Sequence, residues 1–237
     1  MSTEINKGSL FLLPSHMGEP SPNTLFPPYY ADIINSVSYY IVENARTARR
    51  GLKACFANLD IQKLTIYELN KHAPEEDIET FTRPLFKGND VAVLSEAGMP
   101  CIADPGNSIV SFCHTHSIKV IPVVGPNSIL LALIASGGNG QQFTFHGYIP
   151  IKEKRKQAII SMEKKRKQSG YTQIFMETPY RNQSLFTDLL EILSLETKLC
   201  IACDISLKTE EIKTKTIAEW KQEKLDLHKR LCVFIIV

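Results

Sequence analysis

Short apolar runs recur along the chain with polar, helix-periodic stretches between them. Leu10-Phe11-Leu12-Leu13, Tyr39-Tyr40-Ile41-Val42, Leu64-Thr65-Ile66-Tyr67, Val91-Ala92-Val93-Leu94 and Val120-Ile121-Pro122-Val123 have the length and β-branched or aromatic content of buried strands. Helical patterns separate them, over about Pro28–Val37, Ala45–Phe56, Asp77–Phe86 and Asn107–His116, and a small-residue helix follows at Ser128–Ser136. Strands alternating with helices predict parallel α/β architecture with crossover connections.

The pattern changes after Gly137-Gly138-Asn139-Gly140 and the extended segment Phe143–Gly147, and Tyr148-Ile149-Pro150 reads as a linker. A basic helix, about Arg155–Gln168, then leads to the strand Thr172–Met176, the helix Arg181–Leu193 and the strand Leu199–Cys203. Further extended segments at Glu211–Thr214 and Leu231–Val237 predict a mixed sheet. The expectation is two α/β domains, residues 1–147 with a mostly parallel five-stranded sheet and residues 148–237 with a mixed one.

Composition narrows the class. The 237 residues are 43% hydrophobic and 22% charged, which suits a globular protein with buried cores. No apolar run approaches the roughly 18 residues of a membrane span, and Met1–Lys7 reads as a short leader without an export core. The chain reads as cytoplasmic with no membrane partner. The six cysteines fall mostly inside apolar elements, and Cys200-Ile201-Ala202-Cys203 lies along a strand, where positions i and i+3 face opposite sides. They are expected to be buried and reduced. The six histidines, His16, His72, His114, His116, His146 and His228, show no metal-ligand spacing, so no metal is expected. A net charge of +2 decides nothing about nucleic acid. Its distribution says more: Arg46, Arg49, Arg50 and Lys53 form one cluster and the 152–167 stretch another, although the second is also what a solvated helix face looks like.

In an open parallel sheet, ligands bind beyond the carboxyl ends of the strands, and four loops there carry unusual residues. The first is Pro14-Ser15-His16-Met17-Gly18-Glu19-Pro20, which is neither a dinucleotide signature nor a P-loop. The second is Glu43-Asn44-Ala45-Arg46-Thr47, where the acid and amide can cap a helix or serve a site. The third runs from Ser95 to Gly106, with two glycines, two prolines and two acids in twelve residues. The fourth is Gly125-Pro126-Asn127-Ser128, opening the small-residue helix.

Taken in order, these loops and Phe175-Met176-Glu177-Thr178-Pro179-Tyr180-Arg181 resemble the tetrapyrrole-methylase family of methyltransferases, over nearly the whole chain. The branch they are most similar to is the small-subunit ribosomal RNA 2′-O-ribose methyltransferases. Asn44 stands where that branch usually has an aspartate, and Glu96 replaces its commoner aspartate. The chain stops at the last strand, where the branch commonly carries a further segment. The resemblance implies S-adenosyl-L-methionine held in a cleft between the two domains, an RNA substrate in the small ribosomal subunit, and a homodimer. By position it assigns donor contacts to Pro14, Glu96, Gly98, Met99, Ser128 and Ile129, and to Met176, Asp204, Ile205, Lys229 and Arg230 on the adenosine side. Glu43, Arg46 and Glu177 are the expected catalytic residues, with Arg49 and Arg181 holding an anionic acceptor. Two other functions stay open. One is methylation of a small anionic tetrapyrrole-like substrate; the other is a non-catalytic module that binds the donor or RNA.

Overall fold

The computed structural model describes residues 6–18, 26–69 and 74–237. Most of the leader, Glu19 and Pro20 of the first loop, and His72 lie outside the described residues. Two compact units divide the chain, Met1–Pro126 and Asn127–Val237.

In the first unit, β1 (Leu10–Leu13), β2 (Tyr39–Val42), β3 (Thr65–Glu68), β4 (Val91–Leu94) and β5 (Val120–Pro122) form one parallel sheet in the order β3-β2-β4-β1-β5. Both faces are covered, which explains why the strands read as continuous apolar runs. Along β4, Val91 and Val93 enter a cluster with Ile78, Phe81 and Leu85 of α3 (Glu75–Phe86) and Ile109 and Cys113 of α4 (Asn107–Thr115). Ala92 and Leu94 face the other way, toward Tyr30 and Ile34 of α1 (Tyr29–Ser36) and Leu52 of α2 (Ala45–Cys55). A 3₁₀ turn at Ile61–Lys63 precedes β3, and the sequence pattern did not announce it.

In the second unit, β6 (Phe143–Tyr148), β7 (Thr172–Met176), β8 (Lys198–Cys203), β9 (Glu211–Thr216) and β10 (Cys232–Ile236) pair in the order β6-β7-β10-β8-β9. Only β6 and β7 are parallel; the rest are antiparallel, so the sheet is mixed as expected. Phe175, Leu199, Ile201 and Phe234 face a core completed by α6 (Glu153–Ser169), α7 (Asn182–Ile192) and α8 (Ile217–Trp220). The opposite face, with Ile174, Cys200, Ala202, Val233 and Ile235, is covered by Ile129, Ala132 and Leu133 of α5 (Ser128–Ser136).

The boundary between the units therefore falls at Pro126–Asn127, ahead of the 147/148 division read from the sequence. The physical reason is packing. Helix α5 is apolar nearly all round, which marks it as buried without saying in which core, and its apolar side seats on the second sheet. Strand β6 follows it there by pairing with β7.

Candidate functional site

The loops after β1, β2 and β4 meet at the carboxyl end of the first sheet. Ser15 and Gly98 form an isolated antiparallel bridge, with Ser15 N–H donating to the Gly98 carbonyl at 2.8 Å and Gly98 N–H returning to Ser15 at 3.2 Å. The Ser95 hydroxyl donates to the Gly98 carbonyl at 2.5 Å, and the Ser15 hydroxyl donates to the Ser95 carbonyl. Between Gly98 and Gly106 four residues take positive φ: Gly98 (70°), Cys101 (65°), Ala103 (63°) and Gly106 (128°). Left-handed backbone at two residues that carry a Cβ persists only where the surroundings impose it. This loop has a fixed shape, as its two prolines and two glycines suggested.

Pro14 is buried, and its carbonyl accepts the Tyr30 hydroxyl. Burial pushes the Tyr30 phenol far above its usual range, so it stays protonated as the donor of this bond. The Pro14 ring presses on Gly125, where a Cβ would lie 2.1 Å from Pro14 Cγ. A Gly125→Ala change is expected to cost about 1–3 kcal/mol as the crowded loops are forced apart, read as a lower midpoint in chemical denaturation. An unchanged midpoint would show that the loops have slack.

Helix α2 starts at this rim. The Asn44 side chain caps it, accepting from the Arg46 and Thr47 N–H groups at 3.0 Å each, and Glu68 at the end of β3 takes the Ala45 N–H at 2.6 Å. Asparagine and aspartate cap about equally well, so the departure at Asn44 preserves the helix start. The Thr47 hydroxyl reaches Glu96 at 2.7 Å and ties the helix to the β4 loop.

Under this rim lies an open recess. Ser15 and His16 enter it from the first loop, Glu43 and Asn44 from the second, and Ser95 and Glu96 from the third. Its inner wall is apolar and aromatic. Phe26 stacks on Tyr30 with centroids 4.2 Å apart, and Tyr30 contacts Phe56 at 5.8 Å. His16 Nδ1 is buried with no hydrogen-bond partner among the described residues. Helix α2 lines the recess through Thr47, Ala48, Gly51, Leu52 and Cys55. Arg46, Arg49, Arg50 and Lys53 are exposed, and helical spacing sets them on the far side of α2. Glu43 and Arg46, paired in the sequence reading, thus serve different faces: the carboxylate lines the recess and the arginine joins a cationic surface.

In the second unit the motif after β7 is built around a buried ion network. Glu177 Oε1 accepts Arg155 Nη2 at 2.9 Å and Arg181 Nε at 2.6 Å, and Oε2 accepts the Thr178 N–H at 2.5 Å. Arg155 also reaches Asp188 at 2.8 Å. Burial alone would raise the Glu177 carboxyl. The hydrogen bonds from Arg181 and the Thr178 N–H, with the charges of Arg181 and Arg155, overcome it and hold the group below the usual carboxylate range. A carboxylate kept ionised and bonded on both oxygens is a poor proton acceptor. The geometry ties Glu177 to Arg155, to Arg181 Nε and to the Thr178 N–H, and it takes Arg155 out of the surface charge that the 152–167 stretch suggested.

Asp204 and Arg230 form a second network. Asp204 Oδ2 accepts Arg230 Nε at 2.7 Å and Asp204 Oδ1 accepts the Leu231 N–H, while Arg230 reaches Glu211 at 3.0 Å and the Thr209 carbonyl at 2.8 Å. Asp204 and Lys229 both take positive φ, 52° and 60°. Ile129, Met176 and Ile205 belong to one apolar cluster on the α5 side of the sheet. Asn127 caps α5 by accepting the Leu130 N–H at 3.0 Å, and half-buried Ser128 begins the helix. Met99 is half-buried in its loop. The sequence reading missed His16 as a recess residue and Thr47 as the tie to Glu96. The position of Thr47 one turn into a capped helix was a visible signal, and His16 stood in the first of the four loops the sequence singled out.

No helix among the described residues is long and apolar enough to cross a membrane. The family profile described as tetrapyrrole (corrin/porphyrin) methylases matches residues 31–221. The chain is similar to the ribosomal RNA small subunit methyltransferase I of Vibrio cholerae, with 31% identity over 189 residues covering 79% of this chain and 62% of that one. It is similar to the protein of the same name from Buchnera aphidicola subsp. Schizaphis graminum, with 30% identity over 238 residues covering 98% and 79%. Among solved structures, the methyltransferase CobJ shares the fold at a TM-score of 0.63 and 13% identity, covering 97% of this chain and 93% of that one.

Proposed function

The chain belongs to the tetrapyrrole (corrin/porphyrin) methylases, and we propose that it transfers the methyl group of S-adenosyl-L-methionine to a ribose hydroxyl of small-subunit ribosomal RNA, acting as a homodimer. The observation that carries this reading is the recess in the first unit. A carboxylate and an imidazole line it beside an aromatic wall, and the helix that borders it carries a cationic outer face.

The residues present suit the methyl donor. Ile129, Met176 and Ile205 offer one apolar surface in the second unit, with the Asp204 carboxylate next to it in sequence. In the first unit Pro14, Glu96, Gly98 and Met99 lie on loops of fixed shape, the assignment the family resemblance makes. When bound, the donor supplies an electrophilic methyl group on a positively charged sulfur. The protein has two tasks of its own: to align the acceptor oxygen, an effect that can be worth several kcal/mol, and to take its proton. Glu43 is the proposed acceptor of that proton. His16 lines the same recess.

Arg46, Arg49, Arg50 and Lys53 are proposed to hold phosphates, which position RNA without reading its sequence. Replacing Arg49 and Arg50 by alanine is expected to weaken RNA binding and to lower the slope of log affinity against log salt by about one for each phosphate no longer held. Filter binding across a salt series measures it; an unchanged slope would remove α2 from the interface. The overall reading is tested by transfer of labelled methyl from S-adenosylmethionine to purified small ribosomal subunits that lack the modification. Label on a ribose of the small-subunit RNA supports it. Label on a porphyrinoid tetracarboxylate and none on RNA would replace it with the tetrapyrrole reading.

A further inference from the structure

Strands β8 and β10 run antiparallel with Cys203 opposite Cys232. In the adjoining pair, the Asp204 N–H donates to the Leu231 carbonyl at 2.8 Å. Hydrogen-bonded and non-hydrogen-bonded pairs alternate along such a ladder, so Cys203 and Cys232 occupy a non-hydrogen-bonded position. There Cα atoms approach to about 4.5 Å and side chains lie closest, within the roughly 4.4–6.8 Å that a disulfide spans. The two sulfurs are 3.2 Å apart and share a hydrogen bond. Both point into the core on the α6–α7 side, at 1% and 7% exposure. Cys200, the other half of the CxxC spacing, faces the opposite side of the sheet and cannot substitute for either.

We propose that Cys203 and Cys232 are a thiol-oxidation site that closes into an intramolecular disulfide when the folded protein meets a peroxide. The Cys203 sulfur attacks one peroxide oxygen; an S–O bond forms, the O–O bond breaks, and one water leaves, giving a sulfenic acid. The Cys232 sulfur then attacks the Cys203 sulfur. The S–S bond forms, the S–O bond breaks, and the hydroxide departs as water with the Cys232 proton. Two thiols are oxidised by two electrons in all, and one peroxide is reduced to two waters. The environment favours Cys203 as the first nucleophile. The hydrogen bond shared with Cys232, and the nearby Arg230 guanidinium, hold its thiol below the ordinary range against burial, and the thiolate is the reactive form. A molecule as small as hydrogen peroxide suits a pair this buried, and Cys232 opens its strand next to exposed Leu231.

The test is peptide mapping of the full chain after hydrogen peroxide, with remaining thiols blocked by N-ethylmaleimide in denaturant. The expected result is a cross-linked peptide pair joining Cys203 to Cys232, reversed by dithiothreitol, with Cys113 and Cys200 alkylated. Cys200→Ser should form the same cross-link to the same extent. Complete alkylation of Cys203 and Cys232 after peroxide would overturn the proposal, as would a cross-link from either to another cysteine. No readout here involves methyl transfer, so the result is independent of the function proposed above.

Discussion

A Glu43→Gln variant is expected to fold normally, bind S-adenosylhomocysteine as the unaltered protein does, and lose methyl transfer by about 10²–10⁴-fold. Glu43 follows the last residue of β2, and its side chain lines the recess where loops from three strands converge. Glutamine keeps its shape and hydrogen-bonding reach but cannot accept a proton from a hydroxyl. The loss should therefore appear in turnover, with little change in the concentration of RNA needed. Arg46→Ala should do the opposite, because that side chain is exposed on the outer surface of α2: weaker RNA binding, with turnover at saturating RNA largely kept. Single-turnover kinetics on small subunits, with calorimetric titration of S-adenosylhomocysteine beside it, separates the two. Full turnover by Glu43→Gln would take Glu43 out of proton transfer and leave His16 as the recess group to test next.

The fold was legible to the extent that local pattern determines it. Val91–Leu94 reads as a strand buried on both faces because each of its four side chains is covered, two by α3 and α4 and two from the α1–α2 side. Glycine- and proline-rich loops betrayed the site for a similar reason: Gly125 is needed where the Pro14 ring leaves no room for a Cβ. What stayed hidden depends on partners distant in sequence. Helix α5 gave no hint that it belongs to the second core. The left-handed backbone at Cys101 and Ala103 could not be seen, since neither residue type advertises it. The apposition of Cys203 and Cys232 required the register of β8 against β10. Charge was the most misleading signal. Arg155 sits in a run of exposed lysines yet is buried, and the Glu177 carboxylate, which looks like chemistry in a linear motif, is held by Arg155, Arg181 and the Thr178 N–H.

That distinction yields a second large effect. Arg155→Met is expected to destabilise the second unit by about 3–5 kcal/mol near neutral pH, because it leaves the buried Glu177 carboxylate with too little compensation. The Arg155 and Glu177 side chains are 7% and 0% exposed, whereas Asp188, the other partner of Arg155, is 37% exposed and can turn to water. The cost therefore resides in Glu177. Its carboxyl is held below the usual range in the folded state, so its ionised form contributes stability that is present above the unfolded value of about 4.3 and is lost as pH falls through the folded value. In Arg155→Met the carboxyl loses part of that depression. The gap between the two proteins should be widest at neutral pH and should narrow in acid, where Glu177 is protonated in both. A Glu177→Gln change placed in the Arg155→Met background should recover part of the loss, since a neutral amide does not need the missing cation. Urea denaturation of the three variants across pH measures all of this. A constant gap from neutral to acid pH, or no recovery in the double variant, would mean that Arg155 stabilises through packing of its stem and not through Glu177.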